Sequence, residues 1–456
     1  MTYIITAILI VSLLFIATER QTGVSKAAVA MFACTLGWVL YIGWGTDFVM
    51  SQHHGGYMAF LNGIQPNSIV VKEYIARDIF VPYVGHAAEI VLFLLATMTI
   101  VDVLATNGCF DFLTLWIRTR NSRLLMWKLT AFAFFMSINL DNISAIVLML
   151  TVTNQILPKS SDRKIYGSLV FLAVIFGGAL SVIGDPTGLV LWTKGAITAT
   201  DYSLSMLLPC LVAWVVPTYI IGRRLPETVV IEQMPMPYRG NDTNLNVWQR
   251  IIVFCVGIGG LWFIPTFHDI TKLPPFIGAL CVLSVLWIVN EIFNRKLNSV
   301  SLRHRSAHMQ QMQQNSIQQI LYIIGVILAL GVVTETGAMK WFAEQLVSVT
   351  SNVWIVGAVV AVISMVLDSF ASCITMVSFH DVSAVDPYYA TGGAYWKVLS
   401  FCTAMGGSIF AIGSFSGIVM MRMQDVTLKW YSRHVMPVVL MSGLLAFVII
   451  CLQLTL

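Results

Sequence analysis

Apolar runs of about 20 residues recur from one end of this chain to the other, and no other feature limits its fold so strongly. They lie near residues 3–18, 24–46, 88–107, 129–157, 165–200, 203–222, 247–266, 276–293, 315–334, 352–379, 397–421 and 435–455. A helix of that length spans the hydrocarbon core of a bilayer. Inside that core every backbone N–H and C=O must find a partner within the protein, so only helices and closed barrels cross it. The runs are continuous rather than alternating, which argues against a transmembrane barrel. Charged residues make up 11% of the 456, against roughly 25% in soluble domains. The reading is an all-α, polytopic membrane protein.

Little else in the composition points to chemistry. The first run, Ile4 to Ala17, has no basic residues before it and no small-residue cleavage site after it, so it reads as a retained span. The eight cysteines are scattered without a CxxC pair, and the eight histidines without an HExxH spacing. No nucleophile–base constellation or cofactor motif emerges, so the chain reads as a transporter rather than an enzyme, with no resident cofactor. The net charge of +4 gives no reason to expect nucleic-acid binding.

Basic clusters mark the cytoplasmic loops under the positive-inside rule: Arg118 to Lys128, Lys159 to Lys164, Arg223 and Arg224, Arg295 to Arg305, and Arg422 to Arg433. The segment 129–157 then has cytoplasmic ends on both sides, which one crossing cannot provide. A re-entrant hairpin can, and it is favoured over a kinked span. With that hairpin the later basic loops fall on the cytoplasmic side, 352–379 dips in from outside, and the N-terminus lies outside. The stretch 47–87, with His53 and His54, reads as external surface.

The two dipping segments resemble each other. LDNISAIVLM (140–149) aligns with LDSFASCITM (367–376), and GGALSVIGDPTG (177–188) with GGSIFAIGSFSG (406–417). The matches occur in the same order at offsets of 227 and 229 residues, which argues for duplication, and the traced topology orients the copies oppositely. Inverted repeats with broken helices near the midplane are a recurrent architecture of secondary transporters. The expected division is N-terminal helices and an external loop over 1–79, a first repeat over 80–225, connecting helices and a cytoplasmic loop over 226–305, and a second repeat over 306–456. Gly184, Pro186 and Gly188 are expected to unwind the first broken helix, and Gly413 and Gly417 the second.

Three aspartates in the apolar runs stand out: Asp141 and Asp368 in the hairpins and Asp185 in the first break. A carboxylate in the bilayer is costly and so usually faces a cavity with work to do. Asn142, Ser144, Thr187, Ser369 and Ser414 surround them, and oxygen donors of this kind suit a hard cation. Burial penalises the ionised carboxylate unless a proton or a cation neutralises it. Competition of the two for one site, with alternating access, suffices for exchange. Asp141, Asn142, Asp185 and Asp368 are the expected sodium ligands. The competing reading of each aspartate is a helix cap at a turn.

At these residues the chain resembles the NhaD-type sodium/proton antiporters of the ion transporter superfamily, from roughly residue 80 to the C-terminus. The segments that carry the resemblance are HAAEIVLFLLATMTIVDV, IRTRNSRLLMWKLTAFAFFMSINLDNISAIVLML, GGALSVIGDPTGLVLW and FCTAMGGSIFAIGSFSGIVMM. It implies two inverted repeats, each with a re-entrant hairpin and a broken helix, assembled as a homodimer in the lipid of a bacterial inner membrane. The family's ion-site motifs fall on Asp141, Asn142, Asp185, Thr187, Asp368, Ser369, Gly413 and Ser414. The chain departs from that pattern at Ile143, Ser144 and Ala145, at Ser369 to Ala371, and at Val182, Pro186 and Gly188. The resemblance thus implies exchange of sodium or lithium for protons. A sodium-coupled organic-anion carrier and a transport-inactive membrane scaffold are the alternatives.

Overall fold

The computed structural model describes residues 1–62, 65–231, 245–294, 307–350 and 352–455. The basic residues Arg295, Lys296, Arg303 and Arg305 lie outside the described residues. Helices α1 (Thr2–Ala17) and α2 (Lys26–Gly43) come first. The stretch read as external loop is largely helical, with short helices at Gly45–Gln52, His54–Leu61 and Ser68–Tyr74. A π-helical turn, Ile75–Phe80, then leads into α3 (Val81–Thr106).

The first hairpin is α4 (Ser122–Asn139) and α5 (Asn142–Ile156). It is followed by the broken pair α6 (Ser160–Leu180) and α7 (Pro186–Thr193), and by α8 (Ala199–Gly222). After α9 (Val247–Thr271) and α10 (Pro275–Asn294) the pattern recurs. Helix α11 (Ala307–Glu335) precedes a hairpin of α12 (Val353–Ser364) and α13 (Ser369–Val377). Then come a broken pair, α14 (Ala394–Phe410) and α15 (Phe415–Met423), and α16 (Met436–Thr455). Among the described residues nine helical segments are long and apolar enough to cross a membrane.

Cross-helix bonds show that the hairpins are re-entrant. Ser122 Oγ lies 2.7 Å from the Tyr166 hydroxyl, and Ser137 Oγ donates to Val174 O at 2.7 Å, so α4 and α6 run side by side in one direction. Helix α5 turns back, and Leu150 lies against Gly167, close to the start of α6. In the second copy Ser364 Oγ donates to Thr403 O at 2.9 Å, the same bond displaced by one repeat. A kinked single span does not form in either place.

The copies are also inverted. Gly392 N donates to Ala196 O at 2.8 Å, and Lys397 Nζ lies 2.7 Å from Asp201 Oδ2. The start of α14 therefore sits beside the end of the first broken helix. At the opposite face Gly167 packs on Gln424, which joins the start of α6 to the end of α15. The flanking pairs cross over: α2 packs along α11, the opening helix of the second copy, while α10 packs along α3, that of the first.

The breaks span Ser181 to Asp185 and Ala411 to Ser414. Pro186 does not unwind its helix as expected. It occupies the first position of α7, where its missing N–H costs nothing and its fixed φ suits helix entry. Gly188 and Gly417 likewise lie within the first turns of α7 and α15 rather than in the breaks. Their role is close approach: a Cβ on Gly417 would stand 1.9 Å from Ala411 O. Gly184 and Gly413 do lie in the breaks, and there a Cβ would come within 2.4 Å of Ser137 O and 2.1 Å of Ser364 O. These equivalent carbonyls belong to the hairpins, so the glycines let each break press onto its hairpin.

Gly184→Ala is therefore expected to destabilise the protein by about 1–3 kcal/mol through overpacking against backbone. Gly259→Ala, at an exposed position with nothing near its added methyl, is expected to be neutral or slightly stabilising. Thermal unfolding midpoints of the two variants in detergent check this contrast.

Candidate cation-binding site

Four helix N-termini meet at the centre of the molecule, and each begins with an oxygen-bearing side chain. Asp141 caps α5, Asp185 α7, Asp368 α13 and Ser414 α15. The positive ends of the helix dipoles favour carboxylates there. The hairpin tips are tied to the breaks by one repeated backbone bond. Asn142 N donates to Gly184 O at 3.1 Å, and Ser369 N donates to Gly413 O at 2.7 Å.

Between these ends is a cavity of about 40 Å³, lined by Asn142, Asp185, Asp368, Ser369, Ser414 and Ser416 among others. A volume of that size holds a water or two, given about 30 Å³ per water in the liquid. Asp185 makes no cap bond to its own helix. Its Oδ1 instead accepts from Asn142 Nδ2 at 2.8 Å, and its Oδ2 from the Thr187 hydroxyl. Asn142 Oδ1 lies 2.7 Å from Ser137 Oγ, whose single proton is shared between that oxygen and Val174 O.

Asp368 uses Oδ2 to accept from Phe370 N at 3.1 Å, and its Oδ1 lies 2.8 Å from the ammonium of Lys26. Both partners are buried, at 3% and 5% side-chain exposure, so this ion pair is shielded from solvent. The sequence reading missed Lys26. Its only signal was a lone lysine near the start of the run 24–46, and nothing local ties residue 26 to residue 368.

The other expected site residues are placed less centrally. Asp141 Oδ2 accepts from Ser144 N at 3.0 Å, and neither residue lines the cavity. Asp141 Oδ1 is buried and, among the described residues, accepts no hydrogen bond. Thr187 also stands behind the wall and reaches the cavity only through Asp185. The structure thus brings together Asn142, Asp185, Asp368, Ser369 and Ser414, and sets Asp141 in a capping position.

Larger hollows lie on either side. Beyond the end of α7 a vestibule of about 460 Å³ is lined by His53, Asp78, His86, Glu335 and Asp381, and by Lys194. Helix α11 links it to the centre, since Ile323 lines the small cavity and Ile327 the vestibule. On the opposite face a hollow of about 390 Å³ is lined by Glu19, Arg422 and Asp425. In the loop after α13, burial and then the nearby Lys194 ammonium hold the His380 imidazole below its ordinary range, so it stays neutral at pH 7.

Inverted copies, re-entrant hairpins, broken helices and a polar cavity between the breaks define a membrane transporter. Comparison with known proteins narrows the class. The model of the CitMHS family, described as citrate transporter, matches residues 4–387, and the chain belongs to that family. It is 28% identical to sodium/proton antiporter 2 of Arabidopsis thaliana over 77% of this chain and 82% of that protein. It is 23% identical to the Na(+)/H(+) antiporter NhaD of Vibrio parahaemolyticus over 87% of this chain and 92% of the relative. The crystal structure of the YdaH transporter of Alcanivorax borkumensis matches with a TM-score of 0.51 at 14% identity, covering 82% of this chain and 88% of that one. That likeness supports the fold.

Removing the Asn142 amide would leave the half-buried Asp185 carboxylate short of a donor, a loss of about 1–3 kcal/mol. Asn142→Ala is therefore expected to lower the unfolding midpoint. Asn142→Asp, which sets a second carboxylate against Asp185, should lower it further at neutral pH and recover in acid. Midpoints measured across pH check the ordering.

Proposed function

We propose that this chain exchanges sodium or lithium for protons across an energised membrane, with Asp185 as the carboxylate over which cation and proton compete. The observation that carries the reading is the central cavity, small and lined by carboxylates, amide and hydroxyl groups. Asp185 receives two side-chain hydrogen bonds and, among the described residues, no ion pair. A half-buried carboxylate in that state is satisfied by a hard cation or by a proton, and one displaces the other. Several relatives are named as sodium/proton antiporters, which supports the same substrates.

In this reading Asn142 orients Asp185, Thr187 stabilises its ionised form, and Ser369, Ser414 and Ser416 complete an oxygen-rich wall. Sodium, the substrate, binds at Asp185 from one vestibule as the proton leaves. The inverted copies then rock about the cavity, and the cation is released to the other side as a proton returns. Hollows on both faces supply the two routes. Asp141 acts as the cap that holds the first hairpin tip in place.

The family's description raises a second substrate, citrate. A tricarboxylate is too large for a cavity of about 40 Å³, and Asp185 at its wall would repel it. Sodium-dependent citrate uptake into proteoliposomes, at a rate comparable to cation exchange, would reverse this choice.

The direct test is dye-reported proton movement in inverted vesicles on addition of sodium, lithium or potassium, at neutral to alkaline pH. Sodium and lithium are expected to collapse the proton gradient. Asp185→Asn should reduce the response to background. Thr187→Val should raise the half-saturating sodium concentration roughly tenfold, the effect of about 1.5 kcal/mol for one hydrogen bond to a charged group. Wild-type protein that is inserted yet silent to both cations would exclude exchange.

A further inference from the structure

The two copies differ most at the cation each would hold. In the second copy the Lys26 ammonium lies 2.8 Å from Asp368 Oδ1 and 4.5 Å from the ring centroids of both Tyr322 and Phe415. A carboxylate on one side and two aromatic faces on the other form a cage for a cation. Lys26 arrives from α2, which packs along α11 and belongs to neither the hairpin nor the break. In the first copy Pro186 stands where the second has Phe415. The helix packed along α3, α10, carries no lysine or arginine over Pro275–Asn294. Among the described residues Asp185 has no ion pair.

Stability alone is a poor reason to keep this pair. Desolvation of two buried charges commonly cancels their attraction. The ammonium also sits in the first turn of α2, where the helix dipole opposes it. A function for the charge itself accounts for both costs. We infer that Lys26 is a tethered cation that fills the second repeat's ion site, leaving Asp185 as the one carboxylate free to exchange. Ser369, Ser414 and Ser416 line the cavity beside Asp368 and would supply oxygen ligands to a mobile ion once the ammonium is gone. This inference rests on the exchange reading above, because it assigns the second half of the same cavity. Its consequence is that one mobile monovalent cation moves per cycle, while the other negative charge is neutralised by the chain.

The test is whether removing the lysine creates a sodium site. Lys26→Met leaves Asp368 buried and unpaired, so the purified variant should be destabilised in sodium-free choline buffer and restored by sodium. The expected sodium-specific rise in its unfolding midpoint is on the order of 5 °C at saturating salt, in excess of any rise in the wild type. Equilibrium binding of radioactive sodium should show one more site per chain than the wild type. Lys26→Met combined with Asp368→Asn removes both charges and should lose the extra response and the extra site. Lys26→Arg keeps the cation and should bind no additional sodium.

Lys26→Met that folds without extra sodium binding or stabilisation would overturn the inference. So would Lys26→Met that stays unfolded in high sodium while the double variant folds, since the pair would then be purely structural. A gain of sodium response in Lys26→Met alongside a wild type that binds none would uphold the tethered cation and remove the exchange reading at Asp185. The two ideas therefore fail separately.

Discussion

The structure depends on how this chain satisfies backbone that is not helical at membrane depth. Two helices stop inside the apolar runs and two hairpins turn there, which frees N–H and C=O groups with no water to take them. One bond answers this in each copy: the hairpin tip donates its N–H to a glycine carbonyl in the break, Asn142 to Gly184 and Ser369 to Gly413. Neither element is complete without the other. The glycines are needed because each break approaches its hairpin too closely for a Cβ. Once these joints form, four helix N-termini point at a common centre, and the positions just before them carry the oxygen-bearing side chains Asp141, Asp185, Asp368 and Ser414.

Charge then distinguishes copies that geometry makes alike. The carboxylate facing the cavity comes from the break in the first copy, Asp185, and from the hairpin in the second, Asp368. The first is held by an amide and a hydroxyl, which leave its charge in place. The second is neutralised by an ammonium brought in from α2. A symmetric fold has in this way acquired an asymmetric site, with one cavity carboxylate paired to an ammonium and the other to an amide and a hydroxyl.

Much of this was legible in the sequence, for physical reasons. Span length and hydropathy follow from bilayer thickness. The conflict of basic loops around 129–157 favoured a hairpin over a kinked span, and the paired matches at 140–149 and 367–376 argued for duplication. Asp185 and Asp368 were recognisable as bilayer carboxylates. The rest was hidden because it depends on contacts distant in sequence. Asp141 and Asp368 look alike in alignment and both cap a helix, yet only Asp368 also faces the cavity and pairs with a lysine, through surroundings no local pattern encodes. Lys26 lies 342 residues from its partner. Pro186 and Gly188 read as helix breakers, but a proline at a first helical position and a glycine pressed against backbone leave a helix intact. The helical content of 45–80 was hidden because the helices over 45–61 are shorter than a membrane span, and 68–80 is the charge-bearing start of a 39-residue helical segment that runs to Thr106.

The central claim is that a proton and a sodium ion compete for Asp185 within one central cavity. Proton release on adding sodium to weakly buffered, purified protein measures that competition without transport. The expected result is release in proportion to sodium bound, diminishing as pH rises and the site empties of protons, and absent in Asp185→Asn. Sodium binding without proton release at any pH, or undiminished release in Asp185→Asn, would contradict the account.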